Sequence, residues 1–372
     1  MSDNQQWQAP GAVPPVEATS APVTPTPPTG WTPPPRPGLI PLRPLELGTI
    51  LGASFRVLRR NPRPTFGIAL LIEGIVSLVT LGVVGVASYF AFSRIDLSSA
   101  QDLSTITAGS YGLIAVSAIV PVLLSLVASA LLQGIIVLEV SRATLGEKQT
   151  VRQLWARGRG RFGALIGYTA LVALAGTVVL AAIVGLIVLL VTTLGTVGIV
   201  LGVIVGILGG LATLVAFFWI STKLSLVPSA LMLERLTIRQ AVARSWSLTT
   251  GYFWRTLGIE LLVSTILNIA TQVISVPLSV LGPVVIALTD PNGQGGPTSV
   301  VILGAFTILA LVVAVVFGAI AAVVQTATTA LIYLDIRMRK EGLDLELARF
   351  VEARHYGDAS VADPYLVAQP AA

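Results

Sequence analysis

The stretch TIRQAVARSWSLTTGYFWR, from Thr237 to Arg255, is basic and aromatic and lies between two long apolar runs. Its first eight residues recur earlier in the chain, where TVRQLWAR at Thr150 to Arg157 is identical at five of eight positions. A fainter copy, LGTILGASFRVLRR, occupies Leu47–Arg60, and a pair of apolar segments follows each copy. This pattern predicts three repeats, each an interfacial amphipathic helix plus a helix pair.

Composition favours a membrane protein. Hydrophobic residues make up 54% of the chain, charged residues make up 11%, and the mean hydropathy is +0.86. A soluble domain carries about 25% charged residues, so the deficit predicts a surface that largely faces lipid. Cysteine is absent and His355 is the one histidine, which excludes thiol chemistry and histidine-based metal sites. We predict no metal and no cofactor.

The apolar segments define a membrane domain at residues 39–350. Residues 162–222 contain no charge in 61 positions. One helix of that length would be about 90 Å long, against a hydrocarbon core of about 30 Å, so the run must fold back near Gly195. We therefore predict an all-α, polytopic bundle with six transmembrane helices, at about 66–92, 111–138, 162–193, 197–222, 256–289 and 300–334.

Two tails flank this domain. Residues 1–38 contain 11 of the 23 prolines, and a segment of this kind cannot bury enough apolar surface to fold. We expect a disordered, Pro-rich cytoplasmic tail. After an amphipathic helix around Leu343 to Val351, residues 351–372 are expected to form a second cytoplasmic tail, which ends in small residues without regular structure.

Basic residues set the orientation. With six spans and the N-terminus inside, 22 of 23 Lys and Arg residues are cytoplasmic and only Arg94 is outside. Positive residues favour the cytoplasmic side, so both termini are predicted to be cytoplasmic in a bacterial inner membrane. Seven spans would place the five basic residues of 223–255 outside, which excludes that division.

Polar residues within the spans are candidate functional sites, because ionisable groups in a membrane are costly. Glu73 lies deep in the first span, and a polar stripe with four-residue spacing begins at Glu260 in the fifth. The pattern fits either a pathway for a solute, an ion or a lipid headgroup, or hydrogen bonds between helices. The candidates are Glu73, Gln133, Glu260, Ser264, Asn268, Gln272 and Gln325.

Arginines flank the apolar stripes of the amphipathic copies, as in helices that lie in the headgroup layer. Tryptophans in basic patches also occur in nucleic-acid-binding proteins, but the position of each copy beside a span favours anionic lipid. We therefore predict no nucleic-acid partner. The lipid-headgroup candidates are Arg56, Arg59, Arg60, Arg152, Arg157, Arg239, Arg244 and Trp246.

Glycine recurs every four residues at Gly198, Gly202, Gly206 and Gly210. Small residues at this spacing let helix backbones approach closely in lipid. We predict a packing seam within the chain, with a homo-oligomer seam or a pathway wall as alternatives.

Three segments carry a family resemblance: RPGLIPLRPLELGTILGASFRVLRRNP (Arg36 to Pro62), LMLERLTIRQAVARSWSLTTGYFWR (Leu231 to Arg255) and YLDIRMRKEGLDLEL (Tyr333 to Leu347). Over roughly residues 36–350 the chain resembles the bacterial glycerophosphoryl diester phosphodiesterase membrane-domain family. The resemblance implies a membrane module. The catalytic barrel to which such regions are fused, and its His and acidic residues, are absent here.

Function is weighed between two classes. The sequence contains no HExxH, GxSxG or P-loop motif, so no catalytic residue is proposed and phosphodiesterase activity is not expected. The leading hypothesis is a structural or accessory module that contacts anionic lipid, and the alternative is a transporter or permease-like protein with a polar pathway along the fifth span. A water-accessible cavity reaching Glu73 or Asn268 would favour transport, whereas a close-packed bundle would favour the module.

Overall fold

The computed structural model describes residues 38–93, 103–291, 296–356, 358 and 361–366. The predicted disorder of residues 1–38 therefore falls almost wholly outside the described residues. Within those ranges every regular element is helical. Five helical segments are long and apolar enough to cross a membrane: Arg63–Ala91, Gly109–Thr144, Phe162–Leu233, Phe253–Thr289 and Pro297–Glu341.

The long helices are α2 (Ile68–Phe92), which follows a π-helical turn at Arg63–Gly67, α3 (Leu103–Ser117), α4 (Ile119–Thr144), α6 (Phe162–Leu224), α9 (Phe253–Thr289) and α10 (Pro297–Glu341). The shorter helices are α1 (Leu47–Arg60), α5 (Val151–Gly158), α7 (Val227–Leu233), α8 (Ile238–Thr249) and α11 (Leu343–His355).

Helices α5 and α8 begin in the same way because the same residues precede them. Thr150 and Thr237 are the N-cap residues, and each hydroxyl accepts a hydrogen bond from the backbone amide of the glutamine three positions later, Gln153 or Gln240. Each glutamine side chain accepts the amide hydrogen of its threonine in return. This capping box satisfies two amides that a helix start otherwise leaves unpaired. The recurrent sequence therefore specifies a recurrent local structure.

Helix α6 reverses direction at Gly195, which has a left-handed φ of 54°. Beyond the reversal, Gly202 faces Ile187 and Gly209 faces Ile183, so the two halves run antiparallel. The predicted segments 162–193 and 197–222 thus lie in one helical element that is broken at this glycine.

Three of the four predicted glycines lie against the first half of α6. A Cβ on Gly198 would overlap the Leu190 carbonyl, and Gly202 and Gly206 lie against Ile187. The prediction that Gly210 belongs to this contact is wrong, because nothing lies within 4 Å of where its Cβ would stand. Gly209 lies against Ile183 instead. Eleven residues bring a helix back to within about 20° of the same face, whereas twelve overshoot by about 120°.

Helix α10 continues seven residues beyond the predicted end of the sixth span at 334. The extension carries five charged residues, and four of them pair along the helix: Asp335 with Arg339 and Arg337 with Glu341, each at 2.9 Å. Pairs at this spacing lie on one helix face and support it. Charges that are satisfied locally therefore prolong the helix where the sequence suggested a stop.

The main apolar core lies at the end of the bundle where these charges are found. It contains the last turns of α4 and α10 together with α7 and the buried faces of α1, α5 and α8. Away from this end, long stretches of α6 and α9 expose leucine, isoleucine and valine, as expected of helices surrounded by lipid. We call this end of the bundle the basic end.

The described part of the C-terminal tail, α11 and residues 361–366, packs against the core, unlike the unstructured tail expected. Helix α11 extends to His355, and Tyr365 is only 1% exposed. The Tyr365 hydroxyl bonds to Thr144 and donates to the Ser141 carbonyl at 2.7 Å. An aromatic ring with hydrogen-bond partners is stable in a core, so this segment is fixed to α4.

Candidate functional site

Four charged side chains form a cluster at the basic end. Arg244 of α8 places Nε 3.0 Å from Glu234, and its two terminal nitrogens reach Glu341 at 2.6 and 2.7 Å. Arg337 of α10 contacts the same two carboxylates. Glu234 also accepts a hydrogen bond from the buried hydroxyl of Tyr333. Although burial opposes its charge, the contacts with Glu341 and Glu234 raise the pKa of Arg244, which stays cationic.

A second cluster centres on Asp335, which is 1% exposed. Its carboxylate accepts the Leu45 amide hydrogen at 2.7 Å and pairs with Arg255 and Arg339, each at 2.9 Å. Both arginines also donate to the Leu45 carbonyl. One aspartate thereby joins the residues before α1 to the start of α9 and the end of α10.

A third cluster holds the C-terminal segment. Arg142 of α4 pairs with Asp363, and Arg337 donates to the Tyr365 carbonyl at 3.2 Å. Burial raises the pKa of the Tyr365 phenol, which therefore stays a neutral donor. Because Arg337 also belongs to the first cluster, the C-terminal segment and α8 are connected through one guanidinium.

A cavity of about 980 Å³ lies between α4, both halves of α6, α7, α9 and α10. Its wall is largely apolar, with valine, leucine and phenylalanine side chains. Four of the predicted intramembrane polar residues line it together: Gln133, Glu260, Ser264 and Gln325. Thr329 also lines it, and further polar groups that the sequence did not single out include Ser129, Tyr168, Ser225 and Ser229.

The other three polar candidates do not line this cavity. Glu73 lies against Gly318 of α10, where a Cβ would stand 3.7 Å from its carboxylate oxygen. Asn268 is exposed and donates to the Ser264 carbonyl at 2.8 Å, and Gln272 is exposed. Only the first two residues of the predicted polar stripe on α9, Glu260 and Ser264, therefore face the cavity, and the other two are exposed.

Three side-chain atoms in the cavity wall are buried without a hydrogen-bond partner: Ser229 Oγ, Glu260 Oε1 and Gln325 Oε1. They come from α7, α9 and α10, respectively. An unpaired buried polar atom costs about 1–3 kcal/mol, and such atoms call for an explanation. Because all three residues line the same cavity, it is the strongest candidate for a binding site.

The lipid-headgroup candidates divide by exposure. Arg56, Arg59, Arg152, Arg157, Arg239 and Trp246 are exposed. Arg60 is half-buried, and Arg244 is committed to Glu234 and Glu341. Trp246 meets the Trp219 ring edge-on at 5.4 Å, and Lys223 Nζ lies 5.2 Å from its centroid. The exposed arginines are those available to a partner.

The apolar face of α1 meets protein as well as any surrounding lipid. Ile50, Ala53, Ser54 and Val57 are buried, and Ser54 accepts a hydrogen bond from Thr328 of α10 at 2.9 Å. Leu47 and Phe55 remain exposed, at 45% and 38%. The predicted interfacial stripe is therefore shared between the core and the surface.

No metal site is evident in the part of the chain that the structure describes, where no three His, Asp or Glu residues are grouped to hold an ion. No family model, curated protein or solved structure matches the chain. The resemblance of the three quoted segments therefore remains a prediction from sequence.

Proposed function

We propose that the chain is a non-enzymatic, multi-pass protein of the bacterial inner membrane that contacts anionic lipid from the cytoplasmic side. In this proposal both halves of α6 cross the bilayer, which gives six spans with both termini cytoplasmic. The glycerophosphoryl diester phosphodiesterase membrane-domain family remains the proposed relationship, without its enzymatic activity. No nucleic acid or cofactor belongs to the proposal, and self-association into a homo-oligomer is compatible with it.

One observation carries this proposal: exposed arginines are collected at the basic end on α1, α5 and α8. Hydrogen bonds at or beside these helices fix them to their neighbours. Leu45, before α1, donates to Asp335; the carbonyl of Gln149, before α5, accepts from Asn61; and Arg244 of α8 donates to Glu341. A basic residue near an anionic leaflet contributes about 1 kcal/mol. Arginines held on rigid helices can therefore select anionic headgroups.

The test removes four exposed charges by changing Arg56, Arg152, Arg157 and Arg239 to Gln. Arg244 is left intact because its ion pairs support the fold. Native mass spectrometry should show phosphatidylglycerol preferred over phosphatidylcholine by the wild type, and this preference should fall in the Gln variant. The matched control changes the same residues to Lys, which keeps the charges and should keep the preference. An undiminished preference in the Gln variant would refute the proposal.

The cavity supports a second candidate function, transport of a small solute. It gathers Glu260, Ser264 and Gln325 between helices, although it does not reach Glu73 or Asn268. A transporter exposes its central site to each side in turn. A single cysteine at Ser264 should then react with impermeant thiol reagents added from either side of the membrane. Protection from one side throughout would favour the lipid-contacting module.

A further inference from the structure

The lining of the cavity combines a polar floor with an apolar wall. The polar floor is formed by Ser229, Glu260 and Gln325, and the apolar wall includes Val172, Val179 and Phe217. Its volume of about 980 Å³ is at the upper end of those that hold small molecules. A polar floor and an apolar wall in one cavity match an amphiphile, which has a compact polar head and a hydrocarbon chain.

In the part of the chain that the structure describes, the polar floor has two unpaired acceptor atoms and no cation beside them. Glu260 Oε1 and Gln325 Oε1 are buried acceptors without partners, and no basic residue is found among the described residues that line the cavity. The nearby cations are engaged elsewhere. Lys223 Nζ lies over the rings of Trp246 and Phe253, and Arg255 pairs with Asp335.

These groups define the chemistry of the missing partner. A carboxylate oxygen and an amide oxygen together favour a group that carries several N–H donors and a positive charge, because an ionised carboxyl only accepts hydrogen bonds. A primary ammonium has three donors. Ser229 Oγ, the third unpartnered atom, can donate its hydroxyl hydrogen to an oxygen beside that ammonium.

The wall shows how such a molecule enters. Val172, Val179 and Phe217 line the cavity and are also 43%, 48% and 63% exposed, respectively. The cavity is therefore continuous with the apolar surface of α6, which faces the hydrocarbon of a bilayer. A lipid can slide in sideways with its chain against this wall and its head toward Glu260.

We propose that the cavity is a binding site for an amphiphile with a primary ammonium headgroup, which Glu260 and Gln325 receive while the chain lies along α6. This inference goes beyond the proposed function, since the arginines of α1, α5 and α8 would select anionic headgroups at a different surface. The two sites use different residues and opposite charges.

The test uses the full chain in detergent and three phospholipids with identical acyl chains. Phosphatidylethanolamine carries a primary ammonium, phosphatidylcholine a quaternary one without N–H donors, and phosphatidylglycerol no cation. Native mass spectrometry should show one phosphatidylethanolamine retained about tenfold more strongly than phosphatidylcholine. In Glu260→Gln this ratio should fall to near one. Equal retention of all three lipids, or no retained lipid, would overturn the proposal.

Glu73→Gln is the matched control, because Glu73 is also a carboxyl within an apolar span and does not line the cavity. It should keep the wild-type ratio. If Glu260→Gln does not fold, Gln325→Met removes an acceptor and Ala173→Trp fills the wall, and each should reduce phosphatidylethanolamine retention several-fold. Unchanged retention in both would refute the site. The Gln variants of the exposed arginines should keep it, which separates this inference from the proposed function.

Discussion

Arg337 Nη1 lies 3.6 Å from Glu234 Oε1, although 103 residues separate them in the chain and both side chains are at most 5% exposed. The contact joins α10 to the connection between α7 and α8. Charges so deeply buried are tolerated only when paired. The cluster around Glu234 should therefore be the most mutation-sensitive polar feature of the basic end.

Glu234→Gln should lower the free energy of unfolding by about 1–3 kcal/mol, because the buried Arg337 then keeps only its ion pair with Glu341. Unfolding by sodium dodecyl sulfate in mixed micelles measures this change. Glu346→Gln is the control, since Glu346 is exposed on α11 and should change stability by less than about 0.5 kcal/mol. Equal stability of the two variants would show that the cluster does not support the fold.

Tyr365→Phe should loosen the C-terminal segment. It removes a hydroxyl that bonds to Thr144 and Ser141, and each lost hydrogen bond costs about 0.5–1.5 kcal/mol. Limited proteolysis should then cleave near residues 358–366 several times faster. Tyr356→Phe, at an 87% exposed position, should leave the cleavage rate unchanged. A rate equal to the wild type in Tyr365→Phe would contradict the attachment.

Two glycines on the same helix should respond oppositely to alanine. Gly198→Ala forces a methyl group against the Leu190 carbonyl and should destabilise the protein by about 1–3 kcal/mol through overpacking. Gly210→Ala meets open space and should stabilise it by about 0.5–1 kcal/mol, because alanine restricts the unfolded chain. Thermal melting in detergent separates the two. If both substitutions changed the stability in the same direction, the packing contact between the two halves of α6 would not lie along these glycines.

The membrane orientation can be measured with introduced cysteines, since the chain has none. Ala100→Cys and Gln294→Cys should react with an impermeant maleimide added to intact cells. Lys148→Cys and Ser247→Cys, at exposed positions of the basic end, should react only after permeabilisation. Labelling of either basic-end cysteine in intact cells would contradict cytoplasmic placement.

The long helices were predictable because hydropathy alone shows which segments are apolar enough to lie in lipid. The fifth predicted segment, 256–289, matches α9 (Phe253–Thr289) to within three residues at its start. The reversal near Gly195 was predictable from length, since an uncharged run of 61 residues exceeds the bilayer. These inferences rest on hydropathy and geometry, which act locally.

The polar clusters were not predictable, because their members are distant in sequence. Asp335 and Arg255 appeared as ordinary cytoplasmic charges, yet they meet at 2.9 Å. Tyr365 lies in a segment of small residues, and only the fold brings it to Thr144. One signal was available for Arg337 and Glu341, which are spaced four residues apart at the end of an apolar helix. That spacing is typical of an ion pair.

The polar stripe on α9 was predicted only in part. Four-residue spacing drifts by about 40° per step relative to the helix repeat, so Glu260 and Ser264 face the cavity while Asn268 is exposed. The spacing of these residues can be read from the sequence, but the side of the helix that faces the cavity cannot. That face is decided by the packing of α9 against α10.

The reversal at Gly195 has a consequence for synthesis. In the proposed six-span arrangement, the two halves of α6 join through one glycine with helix resuming at once on either side, so the turn carries no soluble domain that must be translocated. The halves can leave the insertion machinery together as a preformed hairpin, already matched along Gly198, Gly202 and Gly209. A substitution that stiffens this turn should therefore reduce the yield of inserted protein before it affects the stability of molecules that have folded.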